Sequence, residues 1–215
     1  MGAERSLTAI VLAAGQSRRM GAQNKLLLDV GGRSVLARAV SAFVDANVTS
    51  IIVVTGADRG AVKRAVPATD RVRLVHNPEY TAGMGASIRC GVSATHAAAV
   101  GYAICPGDLP LLTSATIRRL LRAFREQAPP CIVRPRVDGQ PGHPVLFDAA
   151  FRDDLLGLKG DEGARDVLRR HVQRVTYVDV DAPGTARDVD TPQALRTVRT
   201  QVGTASSSDG GTNDI

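Results

Sequence analysis

Three stretches combine residue types and spacing suited to phosphate chemistry. The first is Leu12-Ala13-Ala14-Gly15-Gln16-Ser17-Arg18-Arg19-Met20-Gly21, with Lys25 soon after. Small residues let backbone N–H groups approach an anion closely. Arg19 could then grip phosphate oxygens with its fork and Lys25 with a point charge. The spacing is neither GxGxxG nor GxxxxGK(S/T), so the dinucleotide and Walker readings both fail. A loop with solvated basic side chains is the plainer alternative. The second stretch is Gly107-Asp108-Leu109-Pro110, directly after an apolar run. A carboxylate at the C-terminal end of a central strand sits where open α/β sheets bind ligands. A hard cation such as Mg²⁺ takes one or two carboxylates together with substrate phosphates. An Asp before Leu-Pro also serves as a turn or capping residue. The third is Asp188-Val189-Asp190-Thr191-Pro192. Its two carboxylates point the same way if the chain is extended, although acids also favour the first turn of a helix.

Two further loops carry weaker signals. Gly83-Met84-Gly85-Ala86-Ser87 precedes a helical segment, and helix-start N–H groups suit acceptor atoms of a base or phosphate. An ordinary glycine-assisted turn accounts for it equally well. Gly160-Asp161-Glu162-Gly163-Ala164-Arg165 reads as a loop entering a helix capped by Asp161. His143, between Gly142 and Pro144, is isolated, and an isolated histidine is more often a structural hydrogen-bonder than a catalyst. No Ser/His/Asp or Cys/His set is recognisable.

These residues need a scaffold, and the chain supplies an α/β pattern. Short apolar runs alternate with helix-period segments, which predicts a mainly parallel sheet flanked by helices. Strands are expected over 7–13, 50–54, 71–75, 102–105, 131–134, 145–147 and 172–180. Helices are expected over 34–47, before Pro67, over 85–98, from 113 or 114 to 127, over 148–156, 161–171 and 191–202. Thr191 caps the last of these, with Pro192 at its first position. Residues 1–202 are therefore expected to form one domain, and 203–215 a disordered tail rich in Ser, Gly, Thr and Asp. There is no internal repeat.

Composition narrows the function classes. The 215 residues are 44% hydrophobic and 22% charged, ordinary for a globular protein. Lys plus Arg exceeds Asp plus Glu by 27 to 21, a net +6. The basic residues are spread along the chain, and seven aromatics with no Trp leave few stacking platforms. A small polyanionic ligand fits better than nucleic acid. Cys90, Cys105 and Cys131 are odd in number and lack CxxC spacing, which points to a reducing, cytoplasmic setting and away from zinc. The apolar runs are too short to span a bilayer. The N-terminus superficially fits a myristoylation pattern and a weak signal peptide, but it leads straight into the glycine loop.

LAAGQSRRMG with Asn24-Lys25 resembles the signature of nucleotidyltransferases related to the molybdenum cofactor cytidylyltransferase family. Asn77-Pro78, GMGAS at 83–87, PGDLP at 106–110, GHPVLF at 142–147, GDEGAR at 160–165 and DVDTP at 188–192 follow in the family's order. The resemblance covers about residues 7–200, and GHPVLF and GDEGAR narrow it to the molybdenum cofactor branch. It implies a Rossmann-like nucleotidyltransferase fold. It assigns Mg²⁺ to Asp108 and Asp190, and catalysis to Arg19, Lys25 and Asp108. It assigns the nucleotide to Leu12, Ala13, Ala14, Gly15, Ser17, Arg19, Lys25, Gly85 and Ser87. Guanine-using relatives tend to have glycine where this chain has Ala13-Ala14, so CTP is the expected nucleotide. Molybdopterin or the molybdenum cofactor is the expected acceptor, with a molybdoenzyme or its chaperone as possible partner. The implied location of GDEGAR faces the acceptor. Three alternatives stay open. They are the same chemistry with GTP or another phosphorylated acceptor, an NAD(P)H-dependent reductase on the same fold, and a nucleotide-binding partner without activity.

Overall fold

Side chains along the apolar runs alternate between two opposite cores. In the first strand Ala9, Val11 and Ala13 face one core while Ile10 and Ala14 face the other. A strand buried on both faces needs no polar alternation, which is why these segments read as continuous apolar runs. The computed structural model describes residues 7–15, 24–161, 163–182, 184, 188–189 and 191–208. The expectations for Ser17, Arg19 and Asp190, and for the tail after 208, lie outside the described residues.

The elements in chain order are β1 (Thr8–Ala13), a hairpin of β2 (Asp29–Val30) and β3 (Arg33–Ser34), α1 (Val35–Asp45), β4 (Ser50–Thr55), α2 (Arg59–Ala65) and β5 (Val72–His76). There follow α3 (Met84–Ser93), β6 (Gly101–Pro106), α4 (Ser114–Glu126), β7 (Ile132–Val137), β8 (Gln140–Pro141) and β9 (Val145–Asp148). The chain continues with α5 (Arg152–Leu156), α6 (Arg165–Arg170), β10 (Val175–Asp179) and α7 (Pro192–Ser208). Among the described residues the main sheet runs β10-β7-β9-β6-β1-β4-β5, with β8 paired to β7. β1 is parallel to β4 and β6, β4 to β5, and β7 to β10. Only β9 in that path runs antiparallel to its neighbours β6 and β7. This is the α/β architecture that the alternating pattern predicts.

Helices cover both faces. Val35, Leu36, Val40 and Phe43 of α1 join Ile117, Leu120 and Phe124 of α4 in one core. Ile88 and Val92 of α3, Leu155 of α5 and Val167 of α6 line the other. Each fully buried aliphatic side chain contributes roughly 1.5–3 kcal/mol. Capping fixes where the helices start. Ser34 Oγ accepts from Ala37 N at 3.1 Å, Thr113 Oγ1 from Thr116 N at 3.2 Å, and Thr191 Oγ1 from Ala194 N at 3.1 Å. Gly91 brings α3 close to the sheet, since a Cβ there would lie 2.4 Å from Ile10 Cγ2.

Several boundaries differ from the sequence reading. Gly160 and Gly163 adopt φ of +59° and +58°. Left-handed residues cannot belong to a right-handed helix, so α6 begins at Arg165 and Asp161 is not its cap. A 3-10 turn over Val172–Arg174 replaces the start of the expected last strand. α7 runs to Ser208, so residues 203–208, expected as disordered tail, are helical. Val198 and Val202 are buried and anchor this helix, and propagating an existing helix is far easier than nucleating one.

Candidate active site

β1 pairs with β4 on one side and β6 on the other, so the chain changes direction across the sheet at β1. Such a switch point leaves a crevice beyond the C-terminal strand ends. Leu12 lies level with Pro106, which brings residues 14 and 15 beside residues 107 and 108. Gly107 N donates to Leu12 O at 3.0 Å and ties the two ends together. A cavity of about 360 Å³ opens there, lined by both strand ends, by Lys25 and by the start of α3.

Lys25 begins a 3-10 turn, Lys25–Leu27, seated by buried Leu26. Asn24 caps it by accepting from Leu26 N at 3.1 Å, and Asn24 Nδ2 donates to Asp58 Oδ2 at 2.8 Å. The turn delivers Lys25 Nζ to Asp108 Oδ2 at 2.6 Å, with side chains 18% and 13% exposed. Residues 83 positions apart in the chain thus meet at one point. Asp108 Oδ1 is buried with no hydrogen-bond partner among the described residues. A desolvated carboxylate oxygen without a partner is costly, and a cation or ordered water is the usual remedy. The Asp108 backbone oxygen accepts from Val189 N at 3.1 Å, so the 188–189 segment runs alongside it. The carboxylate fits a divalent cation. Asp188 is exposed beside it, and Asp190 is not described.

The opposite wall comes from the start of α3. Gly83 has φ +105° and ψ 179°, a region essentially reserved for glycine. A Cβ there would also lie 2.5 Å from both Asp161 Oδ1 and Gly160 O. Gly85 N donates to Gly160 O at 2.9 Å, so that amide is already engaged and is not open to a nucleotide. The 159–161 loop packs over this helix start, which sequence spacing does not reveal. Ser87 does line the cavity. Its Oγ accepts from Asn77 Nδ2 at 3.1 Å, and Asn77 Oδ1 accepts from Glu79 N at 2.9 Å.

Of the expected nucleotide residues, Leu12, Ala14, Gly15, Lys25 and Ser87 line one cavity together with Asp108. Ala13 does not share that face, since its side chain packs in the core under α1 and α4. Met84, in the 83–87 loop expected near a base or phosphate, also lines the cavity, as do Asp161, whose stretch the resemblance sets toward the acceptor, and Tyr80 and Thr81, which were not anticipated there. For Asp161 the glycine-bounded loop reads in sequence as a helix cap, and the resemblance sets it toward the acceptor; it is not the cap of α6.

The family model of the MobA-like NTP transferase domain matches residues 9–175. The chain belongs to this family. Among its relatives, the nicotine blue oxidoreductase of Paenarthrobacter nicotinovorans is 31% identical over 195 residues, covering 88% of this chain and 94% of that protein. Rv0371c of Mycobacterium tuberculosis H37Rv, solved as a complex with manganese, superposes with a TM-score of 0.74 at 27% identity, covering 91% and 98%. A nucleotidyl transferase from Methanothermobacter thermautotroptrophicus superposes at 0.81 over 94% of this chain and 100% of that one, and at 24% identity shows likeness of fold.

Nucleotidyltransfer is the chemistry this MobA-like family membership supports, and side chains near the crevice are consistent with it. Burial, then the Asp108 charge, raises the Cys105 thiol well above its usual range, so it stays protonated and is no nucleophile. His143 is pushed down from 6.5 to about 4, chiefly by burial and then by Arg134 and Arg165, against a hydrogen bond to the Ile104 backbone. It is therefore neutral at pH 7. The unfolded chain takes up this proton below pH 6.5, whereas the folded chain resists until about 4. Stability should fall across that window by an amount on the order of 3 kcal/mol and level off below it. Thermal melts between pH 7 and pH 4 check this, and the fall should shrink in His143→Gln.

Proposed function

We propose that this chain transfers CMP from CTP to the phosphate of molybdopterin, or of the molybdenum-loaded cofactor, and releases pyrophosphate. The carrying observation is the Lys25–Asp108 pair facing a single cavity at the switch point, with one Asp108 oxygen left unpaired. Family membership supports nucleotidyltransfer, and the resemblance of GHPVLF and GDEGAR supports the acceptor. An oxygen of the acceptor phosphate attacks the α-phosphorus of CTP in line. The new P–O bond forms as the bond to the β-phosphate oxygen breaks, and pyrophosphate departs with the electron pair. A phosphate nucleophile is already largely ionised near pH 7, because its second pKa is about 6. No general base is needed, which suits a cavity whose described lining residues include no histidine or cysteine.

The chain's own residues position and neutralise. Lys25 takes the triphosphate once the nucleotide arrives. Leu12, Ala14 and Gly15 support the nucleoside from one side, and Met84, Ser87 and Asp161 from the other. Asp108 holds Mg²⁺, with Asp190 as the proposed second carboxylate and Arg19 as the second phosphate-binding cation. A divalent ion at this position would neutralise charge on the phosphates. The manganese-bound neighbour supports a divalent site. Among the described residues no helix is long and apolar enough to cross a membrane, and product handover to a molybdoenzyme or its chaperone fits this reading.

Incubating the protein with Mg²⁺, each labelled nucleoside triphosphate and molybdopterin is the direct test. A cytosine dinucleotide product is expected, and no dinucleotide from any nucleotide would overturn the reading. Lys25→Ala should weaken CTP binding about tenfold, the loss of one charge-assisted contact, and leave CMP binding within about twofold. Calorimetric titration of both nucleotides checks it, and equal losses would place Lys25 away from the outer phosphates.

The oxidoreductase relative favours a second reading, reduction of a pigment-like substrate by NAD(P)H. That loop spacing departs from GxGxxG counts against it. NAD(P)H consumption with a pigment acceptor, in the absence of any nucleoside triphosphate, would decide for it.

A further inference from the structure

A buried polar relay stands behind the cavity wall opposite Lys25. Asn77 follows β5 and extends its ladder, with Asn77 N donating to Thr55 O at 2.9 Å. The residue is 2% exposed, and its side chain makes bonds in two directions. Oδ1 accepts from Glu79 N at 2.9 Å, which closes the turn after β5. Nδ2 donates to Ser87 Oγ at 3.1 Å, across to α3. The turn needs only the oxygen, and an aspartate would supply that equally well. The donor to Ser87 is what the amide adds. Because Oδ1 must face the Glu79 N–H, the amide nitrogen must face Ser87, so the surrounding bonds fix the direction of the relay.

Ser87 is left with a one-sided role. A hydroxyl has one proton to donate and two lone pairs. Asn77 occupies one lone pair, and no described residue accepts the proton. Ser87 is 5% exposed, yet it lines the cavity together with Gly83 and Met84. A buried hydroxyl proton without an acceptor is costly, and a ligand that presented a donor here would leave it so. A ligand that presents an acceptor completes a row from the Asn77 N–H through the Ser87 O–H, in which each bond strengthens the next. Further ties hold the turn against α3. Arg89 Nη2 meets Glu79 Oε2 at 3.1 Å, and Cys90 Sγ donates to His76 O at 3.7 Å.

We propose that Asn77 is a positioning residue, which holds Ser87 so that its hydroxyl donates to an acceptor atom on the nucleoside. The inference deepens the nucleotidyltransfer reading and rests on it for the nucleoside. It sets the polarity of the base edge that meets α3. Cytosine O2 and N3 are acceptors and suit Ser87, whereas the N4 amino group is a donor and faces elsewhere. The phosphates are served from the opposite wall by Lys25, so the relay acts on the nucleoside end of the ligand alone.

The probes are CTP and inorganic tripolyphosphate, which carries the phosphates without a nucleoside, each titrated with Mg²⁺ into the full chain. Ser87→Ala should weaken CTP about tenfold. Asn77→Ser keeps an oxygen to close the turn and loses the reach to Ser87, and should weaken CTP at least about fivefold. The double variant should lose no more than about tenfold, because Asn77 acts through Ser87, and multiplied losses of about fiftyfold would overturn the relay. Tripolyphosphate affinity should stay within about twofold in every variant, and losses equal to those of CTP would also overturn it. A spectroscopic readout in the parent stands apart from how well the variants fold. The Asn77 carboxamide ¹⁵N–¹H signals, assigned from the residue's own backbone amide, should move with CTP and stay in place with tripolyphosphate. Signals unmoved by saturating CTP overturn the proposal. If CTP fails to bind while another nucleoside triphosphate binds and moves them, the cytidylyl reading falls and the relay stands. If no nucleoside triphosphate binds, both fall.

Discussion

Asp108→Asn should lower turnover at least about a thousandfold while the fold persists. Asparagine keeps the volume and the backbone, so the Val189 N to Asp108 O bond and the β6 end survive. What disappears is the negative charge at the one place where it matters. The amide oxygen left at this buried position holds a divalent cation far more weakly than the carboxylate, and Lys25 loses its ion pair with residue 108. The Asp108 carboxylate then no longer competes with phosphate for Lys25, so CTP affinity measured without metal should hold or rise. The measurements are kcat with Mg²⁺, metal-free CTP affinity and a thermal melt. A near-parental kcat would remove the metal from Asp108. A lost melting transition would make the aspartate structural, and Asp108→Glu would then show whether charge alone restores folding.

The second large effect is expected in base choice. CTP should be preferred over GTP, and Ala14→Gly should relax the preference. Ala14 lines the cavity although it is almost fully buried, and that wall is stiff. A Cβ on Gly56 would come within 2.5 Å of Ala14 O and 2.9 Å of the Tyr80 ring, so these three residues are already closely packed. A purine pressed against a wall that cannot give typically costs about 1–3 kcal/mol, a bias of about 10–200-fold. Ala13→Gly should leave the ratio alone, because that methyl faces the core under α1 and α4, and should instead lower stability by roughly 1 kcal/mol. The experiment compares kcat/KM for CTP and GTP in the parent and both single variants. Equal use of GTP by the parent would remove the cytidylyl assignment. An unchanged ratio in Ala14→Gly would move base selection to Met84, Ser87 and Asp161 across the cavity.

Strands and helix starts were legible because their causes are local. Leu12 and Ala14 on one face of β1 and Ala13 on the other follow from a two-residue period. Ser34, Thr113 and Thr191 cap the helices they precede, as their side-chain chemistry dictates. Asp108 at the end of a buried strand could be marked as a candidate ligand from its position alone. The sequence also determined the absence of a metal-type cysteine pattern and the spread of basic charge.

What the sequence left undecided depends on segments far apart in the chain. That Asp161 would leave the helix and lie across Gly83 depends on the left-handed turns at Gly160 and Gly163 and on the packing of that loop over α3. The capture of the Gly85 amide by Gly160 has the same origin. Lys25 and Asp108 are each ordinary in sequence, and become a site only because β1 and β6 pair in register and Leu26 seats the turn between them. His143 looked like any isolated histidine. That its Nδ1 is buried with no partner among the described residues depends on how the segment leading into β9 packs beside β6. Periodicity and capping act over a few residues and leave a trace in composition. Register across strands, and the loop that covers them, are set by the whole core.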